Sequence, residues 1–292
     1  MGPLTQRTAA PFLPVRTTVR AGTRYSRVQP GYIDCGAAAA AYSDAMAALD
    51  PRLVELYDQD NPDGPDHDYF RALADRLDAR TIVDLGCGTG SLTVTLARGG
   101  RYVVGVDPDE AMLDFARSRP GGEGVHWVHG DSRSITAAAV DLVVMSGNVA
   151  QAIVGEAWAR TLSDVFLALR PGGILAFESR NPAVRAWERW TRQHTYGARE
   201  TGSGPLVEWM EVTGISVDGT VVIEAHNIFE ATNEHLVYTD RLAFRSRHQI
   251  ESDLASAGLL ALNVWGGWRQ EPFSPTSPQL VLEAVRPARS AR

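Results

Sequence analysis

The sequence contains no lysine, so all 28 of its basic residues are arginine. The phosphate-binding loop of nucleoside triphosphatases needs a lysine that reaches the phosphates, and the absence of lysine excludes such a loop. The chain also has only two cysteines among 292 residues, Cys35 and Cys87. Two cysteines are too few for a disulfide framework and fit a reducing compartment, so we expect a cytoplasmic protein.

Long apolar runs are missing as well. No stretch of 18 or more apolar residues occurs, so we expect no membrane partner. The residues that follow Met1 lack the apolar core of a secretory signal. Residues 1–33 hold five arginines and no acidic residue. This composition predicts a disordered extension, with an organellar targeting segment as the alternative.

Acidic residues dominate the rest of the chain. Five of the 28 arginines lie in residues 1–33, so the remainder holds 23 arginines against 35 aspartates and glutamates. An acidic surface repels the phosphate backbone, and we therefore expect no nucleic acid partner. A hydrophobic content of 44% is enough for one large α/β domain with a buried core.

Apolar runs alternate with helical patterns in the middle of the chain. They predict strands at 81–86, 102–107, 125–131, 139–147 and 174–179 and helices at 91–100, 110–119 and 156–173. Strands that read as continuous apolar runs between helices are typical of a parallel, doubly wound α/β sheet. Two final runs, 260–265 and 279–285, are predicted to add an antiparallel pair, which gives a mostly parallel seven-stranded sheet.

Helical patterns also precede the first strand. Helices are predicted at 36–49, 51–58 and 68–79. Pro51 suits the first turn of the second helix, and Asp66 is predicted to be the N-cap of the third. Residues 34–80 are thus expected to form a helical lid segment in front of a core at 81–190.

Five aspartates and one histidine crowd the stretch YDQDNPDGPDHDYF at 57–70. Carboxylates beside a histidine are suitable ligands for a hard cation or for zinc. Pro62 and Pro65 stiffen this loop, however, and Asp66 is engaged as a cap, so the side chains are not expected to converge. We predict no metal site.

The pattern changes after residue 190. Three long runs rich in β-formers occupy 207–245, and Asp218-Gly219 between two of them is a strong hairpin signal. We therefore predict a small antiparallel three-stranded insertion within residues 191–246. A return helix and the last two strands are expected over 247–286.

The stretch VDLGCGTG at 83–90 carries Asp84 at the end of a predicted strand and turns through three glycines into a helix. Glycines permit positive φ and let a ligand approach bare amides at a helix N-terminus. The NAD fingerprint does not fit, because Ser91 stands where its third glycine belongs. The pattern D-x-G-x-G-x-G resembles that of class I S-adenosylmethionine-dependent methyltransferases.

The resemblance implies S-adenosylmethionine as the cofactor. Asp107, at the end of the second strand, would accept both ribose hydroxyls, because the lone pairs of a carboxylate suit a vicinal diol. Asp131 would bind the adenine amino group, and Pro108 and Met112 would lie under the adenine. The predicted cofactor-binding residues are Tyr57, Asp84, Gly86, Cys87, Gly88, Gly90, Asp107, Pro108, Met112, Asp131, Ser132, Ser146 and Asn148.

The resemblance also restricts the acceptor. Methyltransferases that act on nucleic acid amines usually carry D/N-P-P-Y/F after the fourth strand, where this chain has MSGNV at 145–149. Together with the acidic body, this favours a small-molecule acceptor. The β-insertion resembles that of small-molecule methyltransferases, in which it walls the acceptor pocket or forms a dimer contact, so a homodimer is a further possibility.

Methyl transfer to an N, O or C atom by direct displacement needs no obligatory nucleophile, and a general base is optional. The alternative function is that of an S-adenosylmethionine-binding protein with a non-methylating or regulatory role. The catalytic candidates are Asn148, Arg180 and His226. The predicted substrate-binding candidates are Tyr57, His67, Arg180, Asn181, Trp209, His226 and Trp268. For His226 a simple bond to a strand neighbour is the alternative role.

Overall fold

A computed structural model describes residues 48–135 and 139–288. The predictions made for residues 1–33 and for Cys35 lie outside these ranges. So does most of the helix expected at 36–49, and its two described residues, Ala48 and Leu49, are not helical.

Seven of the strands form one sheet, and the other four form a second. The strands are β1 Thr81–Leu85, β2 Tyr102–Asp107, β3 His126–His129, β4 Val140–Met145, β5 Leu169–Arg180, β6 Gly197–Thr201, β7 Gly204–Ile215, β8 Thr220–Phe229, β9 Glu234–Ala243, β10 Leu260–Trp265 and β11 Gln279–Val285. The large sheet has the order β10-β11-β5-β4-β1-β2-β3. Among these seven strands β11 alone runs opposite to the other six, which confirms the predicted seven-stranded sheet with its final antiparallel pair.

Helices cover both faces of the large sheet. They are α1 Pro51–Asp60, α2 Pro65–Arg76, α3 Thr93–Leu96, α4 Glu110–Ser118, α5 Val149–Ala152, α6 Glu156–Ala168, α7 Arg192–Thr195 and α8 Arg247–Ser256. One apolar cluster joins Val143 and Phe177 of the sheet to α6 and α8, and the other joins Leu142 to α2. Adjacent residues of β4 thus point to opposite faces of the large sheet, and helices bury both faces.

Two predicted element ends were wrong. Helix α6 stops at Ala168 and β5 begins at Leu169, before the Pro-Gly-Gly turn that was expected to close the helix. The backbone of Gly172 and Gly173 pairs with Arg286 beyond the end of β11, and this pairing keeps the segment extended. Helix α3 is shorter than predicted, since it ends before Gly99 and Gly100, which both have positive φ.

The predicted N-cap of α2 was also wrong. Gly64 is the N-cap and Pro65 the first helical residue, so Asp66 lies inside the first turn. Proline suits this position because its missing N–H would have no partner there, and its fixed φ is already helical. Asp66 and Asp68 instead stabilise the helix through its dipole.

The insertion sheet contains four antiparallel strands, in the order β6-β7-β8-β9, rather than the three that were predicted. The additional strand β6 pairs with the start of β7 through a tight turn. Its sequence GARET has two charges and no large apolar side chain, so the alternation expected of a strand is absent. Within the described ranges, no helix is both long and apolar enough to cross a bilayer.

Strand β2 passes beneath the glycine loop at Gly105. A Cβ atom there would lie 2.6 Å from the ring of Trp127 and 3.1 Å from Sγ of Cys87. The indole of Trp127 is fixed, because its Nε1 donates to the carbonyl of Gly122 at 2.8 Å. The position of the loop over β2 therefore depends on bare backbone at residue 105.

Gly105→Ala is expected to lower the free energy of unfolding by about 1–3 kcal/mol, because Trp127 has to leave its position. Gly214→Ala is the matched control, since Gly214 is also a strand residue and a Cβ there would have nothing within 4 Å. Urea unfolding of both variants measures the difference. Equal midpoints for the two variants would contradict the clash.

Candidate active site

The glycine loop after β1 contacts the ends of both neighbouring strands. Gly86 has a φ of +77°, and a Cβ there would lie 2.4 Å from Cγ2 of Val149, the first residue of α5. The amides of Gly86 and Cys87 donate to the carbonyl of Val106 in β2 at 2.7 and 3.1 Å. The loop thus packs against the end of β2 on one side and against the segment after β4 on the other.

Asp107 ends β2 and is fully buried. Its Oδ2 accepts from the amide of Gly88 at 2.8 Å, and its Oδ1 accepts from the amide of Asp109 at 2.8 Å. Burial raises the pKa of this carboxyl to about 7, although the two amides oppose the rise. Each oxygen keeps a second lone pair, so the carboxylate can still accept hydrogen bonds from a vicinal diol.

Asp84 is the second buried carboxyl group of the loop. Its Oδ2 accepts from the Thr93 hydroxyl at 2.6 Å, and its Oδ1 has no hydrogen-bond partner among the described residues. Burial raises the pKa of Asp84 to about 6. A buried oxygen without a partner is rare in native proteins, and this one is available to a ligand donor.

Helix α1 lies over the glycine loop, where the lid segment was expected. A Cβ on Gly88 would lie 3.8 Å from Cε1 of Tyr57. Asp58 accepts from the hydroxyl of Thr89 at 2.6 Å and from the guanidinium of Arg119 at 2.9 Å. Arg119 also donates to the carbonyl of Thr89 at 2.6 Å, so these three residues fasten α1 to the loop.

Cys87 lies in the same turn beside two buried acids. Burial raises the pKa of its thiol well above the ordinary value, and the charges of Asp107 and Asp84 add to this effect. An un-ionised thiol is a poor nucleophile, so Cys87 is not suited to covalent catalysis. No group of three His, Cys, Asp or Glu side chains suited to a metal ion occurs in the part of the chain that the structure describes.

Pro108 and Met112 were expected beside the adenine. The carbonyl of Pro108 lies 3.0 Å from Nε2 of His129. Met112 is fully buried, and its cluster contains Leu49 and Tyr238. This cluster joins α4 to α1 and to the insertion sheet, so Met112 packs between these elements.

Asp131 and Ser132 follow β3. The Asp131 carboxylate accepts from the backbone and the guanidinium of Arg133. Ser132 is buried and donates to Asp164 of α6 at 2.7 Å. Both residues thus lie at the same sheet edge as Asp107, one strand further out.

The segment after β4 carries Ser146, which is half-buried, and Asn148. Asn148 has a φ of +62°, an uncommon conformation for a residue other than glycine. Its amide donates to Oε1 of Glu178 in β5 at 2.5 Å. This bond joins the end of β4 to the end of β5.

Glu178 is the main site residue that sequence analysis missed. Its side chain is buried, and its Oε2 has no hydrogen-bond partner within the described ranges. Burial raises its pKa to about 8, the Asn148 amide opposes this rise, and the charge of Asp66 adds to it. The available signal was a single acidic residue inside the apolar run ILAFES, at the carboxyl end of a parallel strand.

Arg180 lies two residues beyond Glu178. Its Nη1 donates to Oε1 of Gln151 in α5 at 2.9 Å, and its guanidinium lies 5.3 Å from the ring centroid of Trp190. Burial lowers the pKa of Arg180 to about 10, and the Glu178 charge opposes this shift. The structure therefore brings Asn148, Glu178 and Arg180 together at one edge.

His67 and Asn181 lie near this edge. His67 is buried in the first turn of α2, with its Nδ1 3.5 Å from Asp63. The side-chain amide of Asn181 donates to the carbonyls of Pro275 and Ser277 at 3.0 and 2.8 Å. Since both amide hydrogens of Asn181 are engaged, it holds the loop before β11 and has no donor left for a substrate.

Trp268 lies in the loop between β10 and β11. Its ring centroid is 5.8 Å from those of Tyr69 and Phe70 in α2. Together with Pro65 and Pro278, Trp268 lines an open cleft at the start of α2.

Trp209 and His226 are not brought to the site. They are cross-strand neighbours in β7 and β8, and their rings stack with centroids 4.5 Å apart. Met210 and Asn227, one residue further along each strand, point to the opposite face of the insertion sheet. His226 bonds to His235 at 3.1 Å, so a role as general base does not agree with its position, and the alternative of a bond to a strand neighbour does. Successive residues of a strand point to opposite faces of the sheet, so a shift of one residue would have placed His226 on the face that Asn227 occupies.

Asp84→Asn should stabilise the ligand-free protein more at pH 8 than at pH 5. The folded-state pKa of about 6 exceeds the ordinary 3.8. The protonated carboxyl therefore favours the folded state, and this contribution is lost as the pH rises through about 6. The gain in free energy of unfolding should grow by about 1 kcal/mol between these pH values, measured by urea unfolding.

Asp141→Asn is the control for this measurement. Burial opposes ionisation of Asp141, but its bonds to Arg170 and to the amides of Thr81 and Arg80 outweigh burial and lower its pKa. It is thus ionised at both pH values, and its removal should destabilise the protein equally at each. An Asp84→Asn effect that does not change with pH would contradict the buried-carboxyl account.

Comparisons with known proteins agree with this arrangement. Residues 82–173 match the family described as a methyltransferase domain. The chain is 28% identical over 216 residues to the cypemycin N-terminal methyltransferase of a Streptomyces species, covering 72% of this chain and 84% of that protein. The CcbJ methyltransferase structure from Streptomyces caelestis gives a TM-score of 0.67 at 22% identity, over 82% of this chain and 97% of that one. The sugar N-methyltransferase KedS8 from a Streptoalloteichus species gives 0.66 at 18% identity, over 91% and 100%.

The two solved structures show a shared fold. The sequence match is more specific, because its range contains the glycine loop, Asp107 and the segment after β4. The bare turn at Gly86, the buried carboxyl group at the end of β2 and the unpartnered oxygen of Asp84 suit the amino acid and ribose parts of S-adenosylmethionine. The chain is therefore a class I S-adenosylmethionine-dependent methyltransferase, and S-adenosylmethionine is its cofactor.

Proposed function

We propose that this enzyme transfers the methyl group of S-adenosylmethionine to an N, O or C atom of a small-molecule acceptor by direct displacement. The observation that carries the proposal is the chain of contacts from Gly86 to Val149 and from Asn148 to Glu178. The cofactor loop and a set of buried polar groups thereby share one edge of the sheet, at the point where parallel strands bind ligands.

The cofactor supplies an electrophilic methyl group on a sulfonium, so the chain's own residues have to bind, orient and exclude water. Asp107 would accept the ribose hydroxyls, and Asp131 would accept from the adenine amino group. Tyr57 and the rest of α1 would cover the cofactor. The Asp58–Arg119 ion pair at 2.9 Å supports this, because it holds α1 against the loop.

Further observations concern the acceptor, the location of the protein and its assembly. The name of the cypemycin N-terminal methyltransferase says that it modifies an N-terminus, which supports nitrogen among the three atoms. The MSGNV segment and the acidic body support a small molecule over nucleic acid.

The unpaired thiol of Cys87 supports a cytoplasmic location. The exposed side chains of Ile215 and Val217, at the tip of the insertion, offer apolar surface for a homodimer.

Calorimetry with S-adenosylmethionine, S-adenosylhomocysteine and NAD tests the cofactor half of the proposal. We expect micromolar binding of the first two and none of NAD, since the loop lacks the dinucleotide spacing. Binding of NAD alone would overturn the proposal. Release of S-adenosylhomocysteine with acceptor mixtures then separates a transferase from a protein that binds the cofactor in a regulatory role.

Asp107→Ala is expected to weaken S-adenosylhomocysteine binding by about 2 kcal/mol, or about 30-fold in Kd, because charge-assisted hydrogen bonds to the ribose are lost. Calorimetry measures the change, and thermal unfolding checks that the variant is folded. Asp114→Ala is the control, since the Asp114 carboxylate lies on the exposed side of α4 and pairs with Arg117. If both variants bind equally well, the ribose is held elsewhere.

A further inference from the structure

Buried polar atoms without partners occur where β4 and β5 end. Oε2 of Glu178 and Nε2 of Gln151 are fully enclosed and have no hydrogen-bond partner among the described residues. One atom is an acceptor and the other a donor. Native proteins satisfy nearly all buried polar atoms, so a pair of this kind at a ligand-binding edge indicates the groups that a ligand supplies.

The acceptor atom belongs to a carboxyl group held in one orientation. Glu178 is 2% exposed, and its Oε1 is fixed by the Asn148 amide at 2.5 Å. No arginine lies within 4 Å of Glu178 in the described part of the chain. The nearby Asp66 charge raises the pKa of Glu178 further, so the carboxyl group binds a proton more strongly than an exposed glutamate does.

The donor atom belongs to Gln151, which is hydrogen-bonded to the positively charged Arg180. Arg180 donates one hydrogen bond to Gln151 and lies over Trp190. No carboxylate of the described residues lies within 4 Å of its guanidinium. A guanidinium has five donors in a planar fork that matches a carboxylate or carbonyl oxygen, so Arg180 and Gln151 together form an oxygen-binding end.

The spacing of the two ends limits the ligand. Glu178 and Arg180 are alternate residues of β5, so they share a face and their Cα atoms are about 6.6 Å apart. One short ligand can therefore reach both side chains, with a nitrogen that donates to Glu178 and an oxygen that accepts from Arg180 and Gln151. The edge is therefore built for a short group with a nitrogen at one end and an oxygen at the other.

We propose that the methyl acceptor is an amine with a carboxylate or carbonyl oxygen next to its amino-bearing carbon, as in an α-amino acid or a peptide N-terminus. The amine nitrogen binds to Glu178, and the oxygen binds to Arg180 and Gln151. This inference rests on the proposed methyl transfer, and it assigns to Glu178 the role that sequence analysis left open.

The reaction balances with these groups alone. The ammonium of the bound acceptor gives one proton to the ionised form of Glu178, whose raised pKa favours this transfer, and a neutral amine with a lone pair remains. That lone pair forms the new N–C bond while the S–C bond breaks, and the bonding electrons pass to sulfur, which gives S-adenosylhomocysteine. The methylated amine then carries the positive charge, and the proton on Glu178 leaves to solvent when the product dissociates.

An acceptor panel tests the substrate class. Each proteinogenic amino acid is supplied in four forms, namely free, as the first residue of a dipeptide with glycine, N-acetylated and decarboxylated, and release of S-adenosylhomocysteine is measured. We expect turnover among the free or dipeptide forms, at least 100-fold slower reaction of the corresponding decarboxylated amines, and none of the N-acetyl forms. The free and dipeptide arms separate amino acids from peptide N-termini.

Equal turnover of the decarboxylated amines, turnover of an N-acetyl form, or no turnover in the whole panel would overturn the inference. The proposed function fails separately, when the wild-type protein does not bind S-adenosylhomocysteine. If S-adenosylhomocysteine binds and compounds that lack the amine or the neighbouring oxygen are methylated, only the proposed two-ended acceptor site is contradicted.

Two variants test the residues with the best acceptor of the panel. Glu178→Gln keeps an oxygen for the Asn148 amide but presents an NH2 group to the amine, so we expect kcat to fall at least 100-fold and KM to rise as well. Arg180→Gln is expected to raise KM at least 10-fold and to change kcat less. Glu283→Gln is the matched control, because Glu283 is a buried carboxylate of the adjacent strand β11 that pairs with Arg76.

Binding of S-adenosylhomocysteine and thermal unfolding are measured for each variant. Unchanged kcat in Glu178→Gln overturns its role. Weaker binding of S-adenosylhomocysteine in a folded Arg180→Gln variant also overturns the inference, because the guanidinium would then serve the cofactor carboxylate. If Glu178→Gln does not fold, the Arg180→Gln result and the panel decide.

Discussion

The buried carboxylate of Asp107 is the interaction on which the rest of the site depends. It accepts hydrogen bonds from the amide of Gly88 in the loop and from the amide of Asp109 at the start of α4. One side chain thereby fixes both backbone segments that follow β1 and β2. Burial makes ionisation of Asp107 unfavourable, and the two amides reduce that penalty in part. A ligand with a diol would supply further donors to the same two oxygens.

The strand order turns this local arrangement into a site with two halves. Strand β1 lies between β4 and β2, so the loop after β1 contacts the ends of both. The absence of a side chain at Gly86 allows Val149 to pack against the loop. Asn148, one residue earlier, then lies within hydrogen-bonding distance of Glu178. The cofactor half therefore ends where the proposed acceptor half begins, with no intervening layer of structure.

The two halves differ in how well their polar groups are satisfied. In the cofactor half, backbone amides occupy one lone pair of each Asp107 oxygen, and Asp84 keeps one oxygen without a partner among the residues that the structure describes. In the acceptor half, Glu178 and Gln151 each keep an unpaired atom, and Arg180 lacks a carboxylate within the described residues. Such groups raise the free energy of the unliganded protein, and binding of a complementary ligand removes that cost. The helix α1, fastened by Asp58 to Arg119, closes the cofactor half from the other side.

The sequence by itself determined the doubly wound sheet, the antiparallel final pair and the cofactor class. These depend on local patterns, namely apolar runs for strands and the spacing from Asp84 to Asp107 for the cofactor loop. The short strand β6 escaped detection because its sequence GARET does not alternate between apolar and polar residue types. The extended start of β5 did as well, because it depends on pairing with Arg286, over 100 residues away along the chain.

Only the tertiary structure decided which polar side chains face the proposed acceptor site. His226 and Asn227 are adjacent in sequence, yet they lie on opposite faces of the insertion sheet, and the register with β7 sets which face is which. Glu178 was hidden inside an apolar run, and its importance depends on what packs around it. Burial and a missing hydrogen-bond partner are properties of the folded surroundings, and no spacing of residue types along the chain encodes them.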